Sequence, residues 1–186
     1  MAAADRLVTW ATVQARLELA DAQETLTTRY IDVASVRANQ HTGRELAARD
    51  ATVALDGTGT TMLFLPQYPV NSITSVKIDS SRTFGSTAAV TNYYTDDDGI
   101  LIRDCGWPHG KRNVQVVGNF GYETTPDDLE ESIIQLVGYW LDSPNISFLN
   151  PQEGAAGGGY QTNYVGVMDL PFQVRNVWDM YRAVRF

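Results

Sequence analysis

Residues Asn113–Pro144, NVQVVGNFGYETTPDDLEESIIQLVGYWLDSP, decide how this chain folds. Val114 to Phe120 is β-branched and aromatic, as a strand should be, and Gly118 within it marks a bulge or a close backbone approach. Gly121 ends the strand. Further on, Thr125 is placed to cap a helix, and Pro126 suits the first helical position, where its missing N–H costs nothing. Asp127 and Asp128 then face the positive end of the helix dipole. Leu129, Ile133, Leu136, Val137, Trp140 and Leu141 form one apolar stripe, with Glu130, Glu131, Gln135 and Asp142 opposite it. Asp142-Ser143-Pro144 stops the helix. The rest of the chain is expected to pair with that strand or pack on that helix.

Upstream, Thr9 can cap a first helix, about residues 9–20, in which Trp10, Val13 and Leu17 share a face. Asp21 with Glu24 reads as a capping box for a second helix, about 22–42, with Leu26, Tyr30, Val33, Ala34 and Ala38 toward a core and Gly43 as its stop. Neither helix is broad enough in its apolar stripe to stand alone, so both should bundle with the helix at 126–142. From about residue 50 to 120 the period becomes extended. Thr52–Leu55 and Met62–Leu65 flank a Gly57/Gly59 turn and predict a hairpin; Pro66 and Pro69 then force a crossing before Val70–Ile78. Tyr93-Tyr94 and Ile100–Ile102 around Asp96-Asp97-Asp98-Gly99 predict a second hairpin. The fold class is therefore α+β: a small α-helical bundle with an inserted antiparallel β unit, together spanning 1–142.

Residues 143–169 lack apolar period and contain Gly157-Gly158-Gly159, the composition of a flexible linker. Leu170-Pro171 opens a last helix, 170–186, that carries Val174, Val177, Trp178 and Tyr181 and runs into Arg182, Arg185 and Phe186. A tethered amphipathic end of this kind suits docking on a neighbour.

Composition excludes several function classes. The 14 basic against 22 acidic residues give a net charge of −8, which speaks against a nucleic-acid grip as the main role. One cysteine, Cys105, allows no internal disulfide, and neither a signal-peptide pattern nor a membrane-length apolar run is present, so the chain reads as soluble and unexported. His41, His109 and Cys105 do not stand at zinc-ligand spacing, and the Asp96–Gly99 run lacks the alternating acids and closing Glu of a calcium loop, so no metal or other cofactor is expected. The triple glycine is not followed by the Lys and Ser/Thr of a phosphate loop, and no nucleophile elbow occurs. No catalytic residues are assigned. Trp10, Tyr30 and Trp140 read as core, whereas Tyr93, Tyr94, Trp107 and Tyr122 surround the β unit, where cross-strand packing competes with an exposed platform for sugar or another subunit. Gly138, beside the helical stripe, suggests a close helix approach.

The strand with Val114, Val116, Gly118, Gly121 and Tyr122, the Pro126-Asp127-Asp128-Leu129 helix start and the Thr42-Gly43-Arg44 turn after two short helices occur in that order. In this the chain resembles the head-to-tail connector (adaptor, head-completion) proteins of tailed bacteriophages over residues 7 to 142. The resemblance implies a structural virion protein, not an enzyme, at the neck between capsid and tail. It also implies a homo-oligomeric ring, usually a dodecamer, whose partners are the portal protein and a stopper or tail-terminator protein. DNA passes through its channel without specific binding, and no membrane is involved. Carried onto this chain, Leu129, Ile133, Val137 and Trp140 hold the ring body together. Tyr160, Tyr164, Phe172, Trp178, Tyr181, Arg182 and Phe186 belong to a portal-docking arm, and Asp96, Asp97, Asp98, Glu130 and Glu131 are candidate acids of a phosphate-repelling channel wall. The alternatives are a stopper or tail-terminator ring, which would be richer in β structure, and a carbohydrate-binding module.

Overall fold

In the computed structural model, which describes residues 6–85, 88–96, 99–142 and 170–183, the quoted stretch becomes the long strand and helix around which the rest is arranged. Among the described residues the helices are α1 (Trp10–Leu17), α2 (Glu24–Thr42), α3 (Asp127–Asp142) and α4 (Phe172–Met180). The strands are β1 (Arg49–Gly57), β2 (Met62–Phe64), β3 (Val70–Ile78), β4 (Ala89–Val90), β5 (Tyr94–Asp96), β6 (Ile100–Ile102) and β7 (Gly110–Phe120). The mixed α+β class and the C-terminal helix are as the sequence predicts.

β7 sits between β1 and β3 in a four-stranded antiparallel sheet of order β1-β7-β3-β4. Its alternation explains this position: Val114, Val116 and Phe120 are buried on one face, opposite Leu55, Val53 and Arg49 on β1. Gly118 is the close approach its sequence position suggests. A Cβ there would lie 2.3 Å from Ser72 O, and the register of β3 shifts on both sides of this point, between Val70 and Ser72 and between Ile73 and Ser75. A second sheet, β2-β6-β5, contributes Leu63 and Leu101, and with Leu65 and Trp107 these pack against Val70, Val76, Val114 and Val116. The β5–β6 hairpin matches its sequence signal. The expected β1–β2 hairpin does not form: β1 pairs with β7 and β2 with β6, placing the two runs in different sheets. Leu63, opposite Leu101, joins the core cluster that contains Trp107, which fixes β2 on β6.

The helical layer has its own core. Thr9 caps α1 as expected, its hydroxyl accepting from Thr12 N at 3.2 Å. α2 departs from its expected start and facing. Residues Asp21–Gln23 form a 3-10 turn in which Gln23 Oε1 accepts from Ala20 N, while Asp21 takes a hydrogen bond from Gln14 instead of closing a capping box. Its buried stripe is Thr27, Ile31, Ala34, Ser35, Ala38 and Thr42, so Leu26 and Val33 are exposed. Ser35 and Thr42 return their hydroxyls to Ile31 O and Ala38 O, each at 2.9 Å. Bonded to their own helix, they present little polarity to the core, and their small size lets α3 approach. Tyr30 takes a half-buried place, its ring edge on Trp140 at 5.7 Å.

α3 lies across α2 with Leu129, Ile133, Ile134, Leu136 and Val137 buried, and Trp140 and Leu141 packed at the margin. The Thr125 hydroxyl donates to Leu7 O at 2.7 Å and so ties the N-terminal segment to the helix start. Gly138 faces Leu17 of α1, but a Cβ would meet the Leu17 methyls at 3.5 Å, an ordinary van der Waals separation. Gly138→Ala is therefore expected to raise stability by about 1 kcal/mol and the melting temperature by roughly 2–4 °C. A thermal melt of the variant checks this. A lower melting temperature would show that α1 approaches more tightly than this spacing allows.

Candidate functional site

The Thr42-Gly43-Arg44 turn is where the helical layer, the β unit and the C-terminal segment meet. Gly43, with φ 73°, ends α2 and returns its N–H to Asn39 O at 2.9 Å. This turn delivers Arg44 to the interior, where it is 3% exposed. Its guanidinium takes part in none of the ion pairs among the described residues. Instead Nε donates to Tyr181 O at 2.9 Å, Nη1 to Tyr68 O and Nη2 to the Tyr122 hydroxyl at 3.3 Å. The cation also stacks on the Tyr68 ring, 3.8 Å from its centroid. Three donors in a planar fork thus reach three separate elements: the connection before β3, the segment after β7 and the end of α4.

The backbone around Arg44 is equally specific. Tyr122 N donates to Leu46 O at 2.7 Å and Ala48 N to Tyr122 O at 3.0 Å, a short parallel bridge. Gly121, with φ 105°, makes this possible, since a Cβ there would sit 2.6 Å from Ala47 O.

The C-terminal helix is held on the body of its own chain. Val174 and Trp178 are buried, and Trp178 Nε1 donates to Ser132 Oγ of α3 at 2.9 Å. His41, in the last turn of α2, meets Asp179 at 2.8 Å, Ala183 N donates to Thr42 O at 2.7 Å, and the Tyr68 hydroxyl donates to Arg182 O at 3.1 Å. The Tyr181 hydroxyl donates to Asp128 Oδ1 at 2.5 Å; burial, and then the Asp128 carboxylate, push this phenol above its ordinary pKa. Beside the junction a cleft of about 500 Å³ opens between Gln40, Glu45, Arg49 and Gln67.

The residues singled out from sequence separate accordingly. Leu129, Ile133 and Val137 are fully buried within the chain, with Trp140 beside them. Of the docking set, Phe172 is 74% exposed and Arg182 is exposed, Tyr181 is half-buried, and Trp178 is core, so its side chain is not available to a partner. Met180, 78% exposed on the same helix, escaped the sequence reading. Of the acids, Asp96 is on β5, whereas Glu130 and Glu131 are on α3, and Glu131 pairs with Arg16 at 3.0 Å. Tyr160, Tyr164, Phe186, Asp97 and Asp98 lie outside the described residues. Nor do the β-unit aromatics assemble as a sugar platform: Trp107 is buried, its Nε1 donating to Leu101 O and Thr61 O, and Tyr94 alone among Tyr93, Tyr94, Trp107 and Tyr122 is strongly exposed.

The junction therefore holds parts together and presents faces. The model of the family described as "Head completion protein" matches residues 6–184. The chain belongs to the head completion protein family. Solved structures agree with this fold. A chain in the "Neck of empty GTA particle computed with C6 symmetry" superposes with a TM-score of 0.58 at 19% identity, covering 97% of this chain and 91% of that one. A chain in the "Virion of native gene transfer agent (GTA) particle" gives a TM-score of 0.62 at 20% identity with the same coverage. No curated protein matches the chain by sequence. Head completion proteins are structural virion proteins, and the junction at Arg44 is the feature of this member that unites its three parts.

Proposed function

We propose that this head completion protein is a head-to-tail connector at the virion neck: its copies close into a ring of twelve between the portal and the stopper or tail, and extend the DNA channel. The observation that carries this reading is the family match over residues 6–184, and the fold shared with a chain of a particle neck supports it. The sixfold symmetry named for that neck is compatible with a ring of six or twelve.

A head-to-tail contact between copies closes when the rotation per subunit divides the circle, and it needs two different faces on one chain. The outer side of α2, with Leu26, Val33 and Val36 exposed, supplies apolar area for a neighbouring subunit. The core of Leu129, Ile133 and Val137, flanked by Trp140, keeps the body rigid while that contact forms. Phe172, Met180 and Arg182 are the exposed part of the portal-docking end, joined by Tyr160, Tyr164 and Phe186. Where Asp96, Asp97, Asp98, Glu130 and Glu131 face the channel, they would repel phosphate and let DNA slide. The charge of Glu131 is partly offset by Arg16.

Quantitative mass spectrometry of purified particles tests the proposal. The expected copy number, relative to the major capsid protein, is that of one ring. Absence from finished particles would overturn it.

A further inference from the structure

We propose that the loop end of the β unit is a binding surface for the phosphate backbone of duplex DNA. Three stretches meet there: the end of β1 at Asp56, the connection from Asp79 to Gly85 after β3, and the start of β7. Asp79 N donates to Asn113 O at 2.8 Å, Arg112 N to Asp56 Oδ1 at 2.7 Å, and Arg82 Nε to Lys111 O at 3.1 Å, so they form one continuous surface. Lys77 joins it by donating from Nζ to Phe84 O at 2.9 Å.

Lys77, Arg82, Lys111 and Arg112 therefore gather at one end of a chain whose net charge is −8. The ion pairs among the described residues use other cations: Arg6, Arg16, His41, Arg49 and Arg182. Two acids lie nearby and keep their charge, so four cations stand against two carboxylates. Asp56 takes the Arg112 amide, and the Asp79 carboxylate accepts from Ser81 Oγ, Thr83 Oγ1 and the amides of Ser81, Thr83 and Phe84. Those donors, the Ser81 and Thr83 hydroxyls foremost, hold its carboxyl well below the usual carboxylate range.

Arg82 and Arg112 both occupy the left-handed region, with φ 62° and 50°. Glycine or asparagine would sit there with less strain, as also at Glu18 and Phe84, which share this region. The surroundings favour nucleic acid over a protein partner. Ser80 and His109 are exposed beside the cations and can donate to phosphate oxygens. The exposed large apolar side chains of the described residues lie elsewhere, on α2, α4 and the β2-β6-β5 sheet. A protein interface is built on an apolar and aromatic centre, which this surface lacks.

Such a surface would bind duplex whether or not the chain forms a ring. Fluorescence anisotropy of a short labelled duplex, titrated with the full chain at several salt concentrations, tests it. The binding constant is expected to fall with a log–log slope of about −3 to −4, near 0.9 per phosphate neutralised. R82G/R112G suits the positive φ, so it is expected to melt no lower than the parent while the slope shrinks by about 2. Lys111→Gln, free of any backbone constraint, should shrink it by about 0.9. No binding at low salt, or binding unchanged in both variants, overturns the assignment. Polyglutamate binding as tightly as the duplex would also overturn it, pointing to an acidic protein instead. Failure here leaves the copy number in particles unaffected, so the connector reading is judged separately.

Discussion

Arg44→Ala is expected to destabilise the protein by about 4 kcal/mol, because three hydrogen bonds from a charged donor, each worth roughly 1.5–3 kcal/mol and less than additive together, are lost at once. The carbonyls of Tyr68 and Tyr181 would be left without that donor inside the molecule. Arg44→Lys should recover little, since one ammonium cannot reach Tyr181 O, Tyr68 O and the Tyr122 hydroxyl together. Urea unfolding gives the loss as a lower midpoint at constant slope. Amide exchange should show where it is felt first: protection is expected to fall in Phe172–Met180 and around Tyr122 before it falls in β7. A lysine variant as stable as the parent would show that charge alone matters at this site.

Trp178→Ala is expected to cost about 3–5 kcal/mol, the range for emptying a large aromatic site. The indole is fully buried and its Nε1 satisfies Ser132 Oγ, which itself donates to Leu129 O at 2.6 Å. Trp178→Phe keeps most of the packing and should lose only about 1 kcal/mol with the missing donor. Phe172→Ala, on the exposed side of the same helix, should leave the unfolding midpoint nearly unchanged. Chemical denaturation of the three variants separates core from surface on α4. An unchanged midpoint in Trp178→Ala would return that residue to the docking set.

Sequence signals were legible where local chemistry and tertiary demand agree. β7 and α3 could be read because alternation, Pro126, Asp127 and a 3.6-residue stripe all point one way. The second hairpin could be read for the same reason. The facing of α2 could not, because Leu26 and Val33 look more apolar than Thr27, Ser35 and Thr42. Hydroxyls that bond back to their own helix become acceptable core residues only once another helix lies on them. Strand partners were misread in the β1–β2 region because a glycine turn signals a reversal without saying which strand lies alongside afterwards.

The candidate site shows the same division. Thr42-Gly43-Arg44 was visible as a helix stop carrying a family resemblance, but nothing local distinguishes a buried Arg44 from a solvated one. Its partners, Tyr68, Tyr122 and Tyr181, are 24, 78 and 137 residues away in the chain. By itself the sequence determined the α+β class, the central strand and helix and the family, because these rest on periodicity, capping and motif order, which are properties of neighbours in sequence. Only the tertiary structure decided that the C-terminal helix closes onto its own chain around Arg44 and Trp178. That choice depends on which distant carbonyls, rings and apolar faces meet, and an amphipathic helix is equally suited to its own core or to another chain's until such a surface is in place.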